Sequence, residues 1–369
     1  MTPFLKYLIA MALLVAVISS RCQKKNVDSG TPIPPATITD KVLVDGLNNP
    51  WEILWGADDF IWMTQKSGQI SRVNPSTGVT IPVYRIPDVQ SNGEGGLLGM
   101  ILHPNFSTTP YVYVSYNYNR TNGYKQKIVR FTYNGSSLTD AFILLDNIEA
   151  ANIHNGSRLF ISGDKLFITT GDAANQSLPQ NTNSLNGKVL RINLDGSIPA
   201  DNPVANSPVW TSGHRNAQGL VMAGNQLFIS EHGPSTDDEI NVIEKGRNYG
   251  WPNVHGNCNT AEEQSFCAVN NVKEPLQVWT PTIAVSGMEF YDKDLLPQWK
   301  NSLLIATLKN SRLYQLKLNN ERTSVIEINE YFNNKYGRLR DVCVAPNGKV
   351  YLCTGNGSGD KIIEVSASL

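Results

Sequence analysis

An all-β chain folded as a six-bladed β-propeller is the architecture this sequence predicts. Two patterns lead there. Apolar runs are short, often alternating and bounded by Gly, Asn, Asp and Pro, and no stretch sustains a helical apolar period. These runs also recur as units of roughly 40 to 50 residues with three or four strands each, the spacing of propeller blades. Composition agrees, since 29 Gly and 20 Pro with only 17% charged residues suit a turn-rich β protein.

The first unit, "WEILWGADDFIWMTQKSGQISRVNPSTG" from Trp51, reads strand, turn, strand, turn, strand. The second joins "GLLGMILHPNFSTTPYVYVSYNY" to "KQKIVRFTYNG", and the third "SRLFISGDKLFITTGD" to "GKVLRINLDG". "QGLVMAGNQLFISEHGP" with "DEINVIEKG" makes the fourth. The last two are "SGMEFYDKDLLPQWKNSLLIATLKNSRLYQLKL" and "RLRDVCVAPNGKVYLCTGNGSGDKIIEVS". Six blades thus fill residues 40–369. Unit length argues against a β-helix, and the recurrence argues against a sandwich.

The segment before them differs. Residues 1–21 carry Lys6 ahead of an apolar run from Leu8 to about Val17, which reads as an export signal and is short of the roughly 20 residues a membrane span needs. Cys22 follows, and residues 22–39 are polar and proline-rich, a flexible tether. Signal, cysteine and tether are the layout of a bacterial lipoprotein, which predicts a periplasmic or membrane-anchored location. Arg21 departs from the small residue usual before a lipidated cysteine, and plain secretion is the alternative.

Four further cysteines fit an oxidising compartment. Three connectivities are open. The expected pairing is local, Cys258 with Cys267 across a short polar loop and Cys343 with Cys353 across a hairpin. A zinc site competes, but the CxxC spacing is absent. Charge is balanced, 31 basic against 32 acidic residues without a basic stripe, which excludes nucleic acid as a partner.

In a propeller, loops at the ends of the innermost strands converge on one face, so polar residues there can meet. Lys309, Arg338, Arg340 and Arg215 sit at such places. Each alone reads as a solvated rim residue, but together they would repel unless an anion compensates them. "EHGPSTDDEIN" exposes the Gly233 and Pro234 carbonyls beside acidic residues, an oxygen-rich loop that suits Ca²⁺, although most such loops bind nothing. His154 precedes a hairpin that ends at Asp172, so the two can return to one face. A carboxylate on one imidazole nitrogen fixes the tautomer and raises basicity at the other. A lone His before a strand is more often structural. His103 looks like a turn residue, and His214, His232 and His255 are ambiguous.

The chain resembles the soluble glucose/sorbosone dehydrogenase family, which uses pyrroloquinoline quinone (PQQ), and within it the shorter aldose sugar dehydrogenases. The resemblance runs from about Leu43 onward and rests on "GGLLGMILHPNF", "GHRNAQGL", "EHGPSTDDEINVIEKGRNYGWP" and "SGMEFY". It implies His154 as catalytic base, Asp172 as its orienting carboxylate and Arg215 near the quinone oxygens. Asn216 would also contact the cofactor, and Lys309, Arg338 and Arg340 would hold the PQQ carboxylates. It implies Ca²⁺ on the Gly233 and Pro234 carbonyls and a second Ca²⁺ at Glu239 and the Tyr249 carbonyl. Glu94 stands where the glucose enzyme has a cofactor-contacting glutamine, and a carboxylate beside an anionic cofactor must be protonated or turned toward a cation. The implied reaction oxidises the anomeric carbon of aldoses to lactones. Electrons would pass to an external acceptor, a quinone or cytochrome, since no haem-attaching CxxCH is present. A calcium-dependent sugar lactonase and a non-catalytic binding propeller are the other readings of the same fold.

Overall fold

The computed structural model of the chain describes residues 34–368. The expected export signal, Cys22 and most of the tether lie outside the described residues. From there on the chain forms six four-stranded antiparallel sheets. Blade one is Pro50–Trp55, Ile61–Gln65, Gln69–Val73 and Thr80–Arg85. Blades two to five occupy residues 97–149, 159–212, 217–279 and 285–331, and blade six supplies Leu339–Val344, Val350–Thr354 and Asp360–Ala367.

The ring closes through Ile38–Leu47, which pairs antiparallel with Asp360–Ala367 as the outermost strand of blade six. Closure therefore joins the two ends of the propeller in one sheet and begins two residues before the expected boundary at residue 40. The first strands of successive blades lie against one another around the axis. Apolar side chains form six clusters, one in each interface between adjacent blades. Each strand alternates between these interfaces, which is why no run of period 3.6 was needed to build the core.

Two sequence expectations are corrected. The loop between Cys258 and Cys267 is helical over Ala261–Asn270, with a capping box in which the Thr260 hydroxyl accepts from the Glu263 amide and the Glu263 carboxylate accepts from the Thr260 amide. This helix buries no residue, so it carries no apolar period. Cys258 and Cys267 form the expected disulfide, but Cys343 and Cys353 are free and buried. In the hairpin register Cys343 faces Tyr351 and Cys353 faces Asp341. The cysteines are thus offset by two residues, a diagonal too long for the short Cβ separation of a disulfide. Both pack in the interface between blades six and one as small apolar side chains.

Buried charge crosses the channel waist. Arg158 of blade three pairs with Glu52 of blade one at 2.5 Å and with Asp341 of blade six at 3.1 Å. Its Nε also donates to the Gln218 carbonyl of blade four at 2.7 Å. The plug separates two cavities. One of about 320 Å³ lies at the distal rim against Leu54, Trp55, Phe106 and Glu289. The other, about 410 Å³, opens where the innermost strands begin.

Candidate functional site

His154 sits in the loop entering blade three with φ 60°, the left-handed region that a histidine seldom adopts. Its surroundings enforce that conformation. The His154 amide donates to Glu94 Oε2 at 3.1 Å, and its carbonyl accepts from the Ala173 amide at 3.1 Å. Two residues on, the Gly156 amide donates to Asn216 Oδ1 at 3.0 Å. Gly171 permits the close approach of the Asp172 turn, since a Cβ there would lie 1.9 Å from the His154 carbonyl oxygen.

The imidazole Nδ1 lies 2.8 Å from Asp172 Oδ1. The His154 side chain is 13% exposed and that of Asp172 only 1%. Asp172 also accepts from the Ala174 amide at 2.8 Å and from the Trp251 indole N–H at 2.9 Å. A carboxylate that accepts on both oxygens requires the imidazole to bring the proton at Nδ1. Nε2 is then the free base, aimed out of the pair.

Arg215 and Asn216 leave the loop into blade four. The Arg215 amide donates to buried Glu231, its Nη1 donates to the His232 carbonyl at 3.2 Å, and its Nε is buried without a partner. Burial pulls its guanidinium below the ordinary arginine value despite Asp172 and Glu231 nearby. Asn216 is buried and spends its side-chain oxygen on Gly156, so its visible work is to position the His154 loop.

The larger cavity is walled by Lys66, Glu94, His232, Gln218, Arg338 and Arg340, among others. Arg340 Nη1 donates to Gln218 Oε1 at 2.7 Å and to Ser286 Oγ at 3.3 Å, and burial pulls the guanidinium down to about 10. Arg338 Nε donates to the Gly355 carbonyl at 3.1 Å. Lys309 stands exposed, its ammonium donating to Thr282 Oγ1 at 3.2 Å. Burial, with Arg340 and Arg215 beside it, pushes the His232 imidazole down to about 3, and its Nε2 is a buried atom with no partner. These cations suit an anionic ligand bearing carboxylates.

Beside this wall a small cavity is lined by Gly233, Pro234, Asp237, Glu239 and Tyr249. Gly233 has no room for a side chain, as a Cβ would lie 1.9 Å from the Thr236 carbonyl oxygen. Burial, with Glu231 beside it, pushes the Glu239 carboxyl up to about 8. Such a carboxyl lacks a cation, and carbonyl and carboxylate oxygens together suit a hard divalent one. No group of three His, Cys, Asp or Glu side chains converges among the described residues, so backbone carbonyls would have to complete the set.

The structure thus brings together His154, Asp172, Arg215, Asn216, Glu94, Arg338 and Arg340, with Lys309 exposed beside the Ile283 segment. His214 is a core residue, fully buried between Thr211 and Glu231 and stacked on Tyr249. His103 accepts from the Asn105 amide in a turn near the distal cavity. Sequence reading missed Lys66, Trp251, Gln218 and Glu231. Trp251 lies inside the quoted "NYGWP" motif, but nothing local shows that it meets Asp172, 79 positions away.

Comparison with known proteins gives a consistent picture. The sequence model of the Glucose / Sorbosone dehydrogenase family matches residues 47–364. Aldose sugar dehydrogenase YliI of Escherichia coli (strain K12) is 33% identical over 351 residues, covering 90% of this chain and 94% of the relative. Quinoprotein glucose dehydrogenase B of Acinetobacter calcoaceticus is 34% identical over 399 residues, covering 84% of each. The PQQ-bound aldose sugar dehydrogenase of Streptomyces coelicolor superposes with a TM-score of 0.79 at 31% identity, over 91% of this chain and all of that one.

Proposed function

The chain belongs to the glucose/sorbosone dehydrogenase family, and on that premise we propose that it is a PQQ- and Ca²⁺-dependent dehydrogenase oxidising aldoses at the anomeric carbon to lactones. The observation that carries this reading is the His154–Asp172 pair near a cavity whose wall holds unpaired cations. Bound there, PQQ would accept a hydride from the sugar, and Ca²⁺ against it would polarise the quinone.

The chain's own residues would do the rest. His154 Nε2 would take the proton of the anomeric hydroxyl, and Asp172 would hold the ring and stabilise the imidazolium that forms. Arg215, with its unpartnered Nε, would stabilise negative charge that develops next to it. Arg338, Arg340 and Lys309 would grip carboxylates of the cofactor, and the Gly233 and Pro234 carbonyls would hold Ca²⁺. Glu239 and the Tyr249 carbonyl would serve a second Ca²⁺. Glu94 faces Lys66 and Arg340 and accepts from the His154 amide, which supports a carboxylate turned toward cations.

Purified apoprotein supplied with PQQ and Ca²⁺ should reduce a redox dye in the presence of aldoses. Tight PQQ binding with no turnover on any sugar would overturn the substrate assignment. An unidentified quinone or cytochrome is the proposed physiological acceptor. Export and lipidation at Cys22 complete the proposal, and Cys22→Ala should abolish incorporation of a labelled fatty acid.

A further inference from the structure

Lysines and arginines away from the cavity mostly meet carboxylates, as Lys127 does with Asp88 at 2.7 Å and Lys125 with Glu149 at 2.5 Å. Cavity cations behave differently. Arg338 and Arg340 are held by neutral oxygens of Gly355, Gln218 and Ser286. Lys66, at the end of strand Ile61–Gln65 in blade one, follows the same pattern. Its ammonium donates to the Gly93 carbonyl at 2.5 Å and meets no other protein oxygen among the described residues. Two of its three donors are therefore uncommitted.

Lys66 is half-buried, and burial together with Arg340 pulls its ammonium below the ordinary lysine value, with Glu94 acting in the opposite sense. A half-buried ammonium without a counter-ion is unfavourable unless a ligand supplies one. The cavity wall holds three cations, Lys66, Arg338 and Arg340, against one carboxylate, Glu94, a surplus of two positive charges. Glu94 is in turn engaged by the His154 amide. The cations of blade six thus continue into blade one, toward the loop that carries the base.

We infer that Lys66 is a further cofactor-binding residue, its ammonium gripping a carboxylate of the anionic group that Arg338 and Arg340 hold. The inference rests on the PQQ reading above and assigns Lys66 to binding, not to the chemical step. A charge-assisted hydrogen bond of this kind corresponds to roughly a 10- to 100-fold change in affinity.

The test is an absorbance titration of Ca²⁺-loaded apoprotein with PQQ, run on wild type, Lys66→Met, Lys66→Arg, Glu94→Gln and the Lys66→Met/Glu94→Gln double variant. Lys66→Met should weaken PQQ binding roughly 10- to 100-fold while kcat at saturating PQQ stays within about threefold, and Lys66→Arg should recover most of the affinity. The loss should persist in the Glu94→Gln background. Unchanged affinity in Lys66→Met, a fall in kcat without a change in affinity, or a loss that vanishes beside Glu94→Gln would each overturn the assignment. Wild type that fails to bind PQQ would overturn the cofactor reading itself. Matching circular dichroism and melting profiles confirm that the variants are folded.

Discussion

Asp172→Asn probes the pair at the centre of the site with a change of one atom. Three donors converge on this carboxylate, the Ala174 amide, the Trp251 indole and the His154 Nδ1–H, at 2.8, 2.9 and 2.8 Å. A carboxamide offers one acceptor oxygen. With the oxygen at the Oδ1 position, the amide NH₂ meets the indole N–H donor to donor. With the NH₂ at that position, it opposes the Ala174 amide and donates to His154 Nδ1, which moves the imidazole proton to Nε2. Either arrangement leaves a buried donor unpaired, at a cost of about 1–3 kcal/mol of stability. The second also removes the basic nitrogen, and an exchange of this kind in a His–Asp pair lowers turnover by roughly 10³–10⁴-fold. Dye-linked aldose oxidation under saturating PQQ, together with thermal unfolding, measures both effects. Turnover within tenfold of wild type would show that Asp172 does not set the state of His154.

Other perturbations follow from the same geometry. Trp251→Phe keeps an aromatic face beside Arg215 and His255 but deletes the indole N–H on Asp172, and turnover should fall about tenfold. A change below twofold would remove Trp251 from the positioning of the pair. Burial in the distal cavity pushes the Glu289 carboxyl up to about 7, against 4.5 ordinarily. From pH 4.5 to 7 the unfolded chain gives up that proton while the folded protein keeps it, so stability falls as pH rises through this window and is level above it. Glu289→Gln should therefore be more stable than wild type by about 1–3 kcal/mol at pH 8 and equal to it at pH 4, read from urea unfolding at both. Equal stability at pH 8 would contradict the raised carboxyl. Cys343 and Cys353 should react with a thiol reagent only after unfolding and without prior reduction, and two thiols too few under those conditions would restore the second disulfide.

The blades were legible because each strand must alternate between two interblade interfaces, and turns at Gly, Asn and Asp bound every run. Closure was not. Strand Ile38–Leu47 is an outer strand, exposed over much of its length, and finds its partner in Asp360–Ala367 at the far end of the chain. The surface helix Ala261–Asn270 announced itself only through Thr260 and Glu263, since it buries nothing. In the site, His154, Asp172 and the blade-six arginines stand at strand ends, where chemistry is expected. Lys66, Gln218 and Trp251 look ordinary in sequence because their roles exist only across blades. The cysteine pairing failed on register, because the turn at 345–349 sets Val344 opposite Val350 and so leaves Cys343 two residues out of step with Cys353.

The central claim is that His154 acts as base beside a PQQ held by the cation-lined cavity. Single-turnover mixing of PQQ-loaded protein with an aldose, followed by cofactor absorbance, tests it most directly in wild type and His154→Ala. The variant should bind PQQ with an affinity within about threefold of wild type yet reduce it several orders of magnitude more slowly. Reduction of bound PQQ by His154→Ala at the wild-type rate would contradict the assignment.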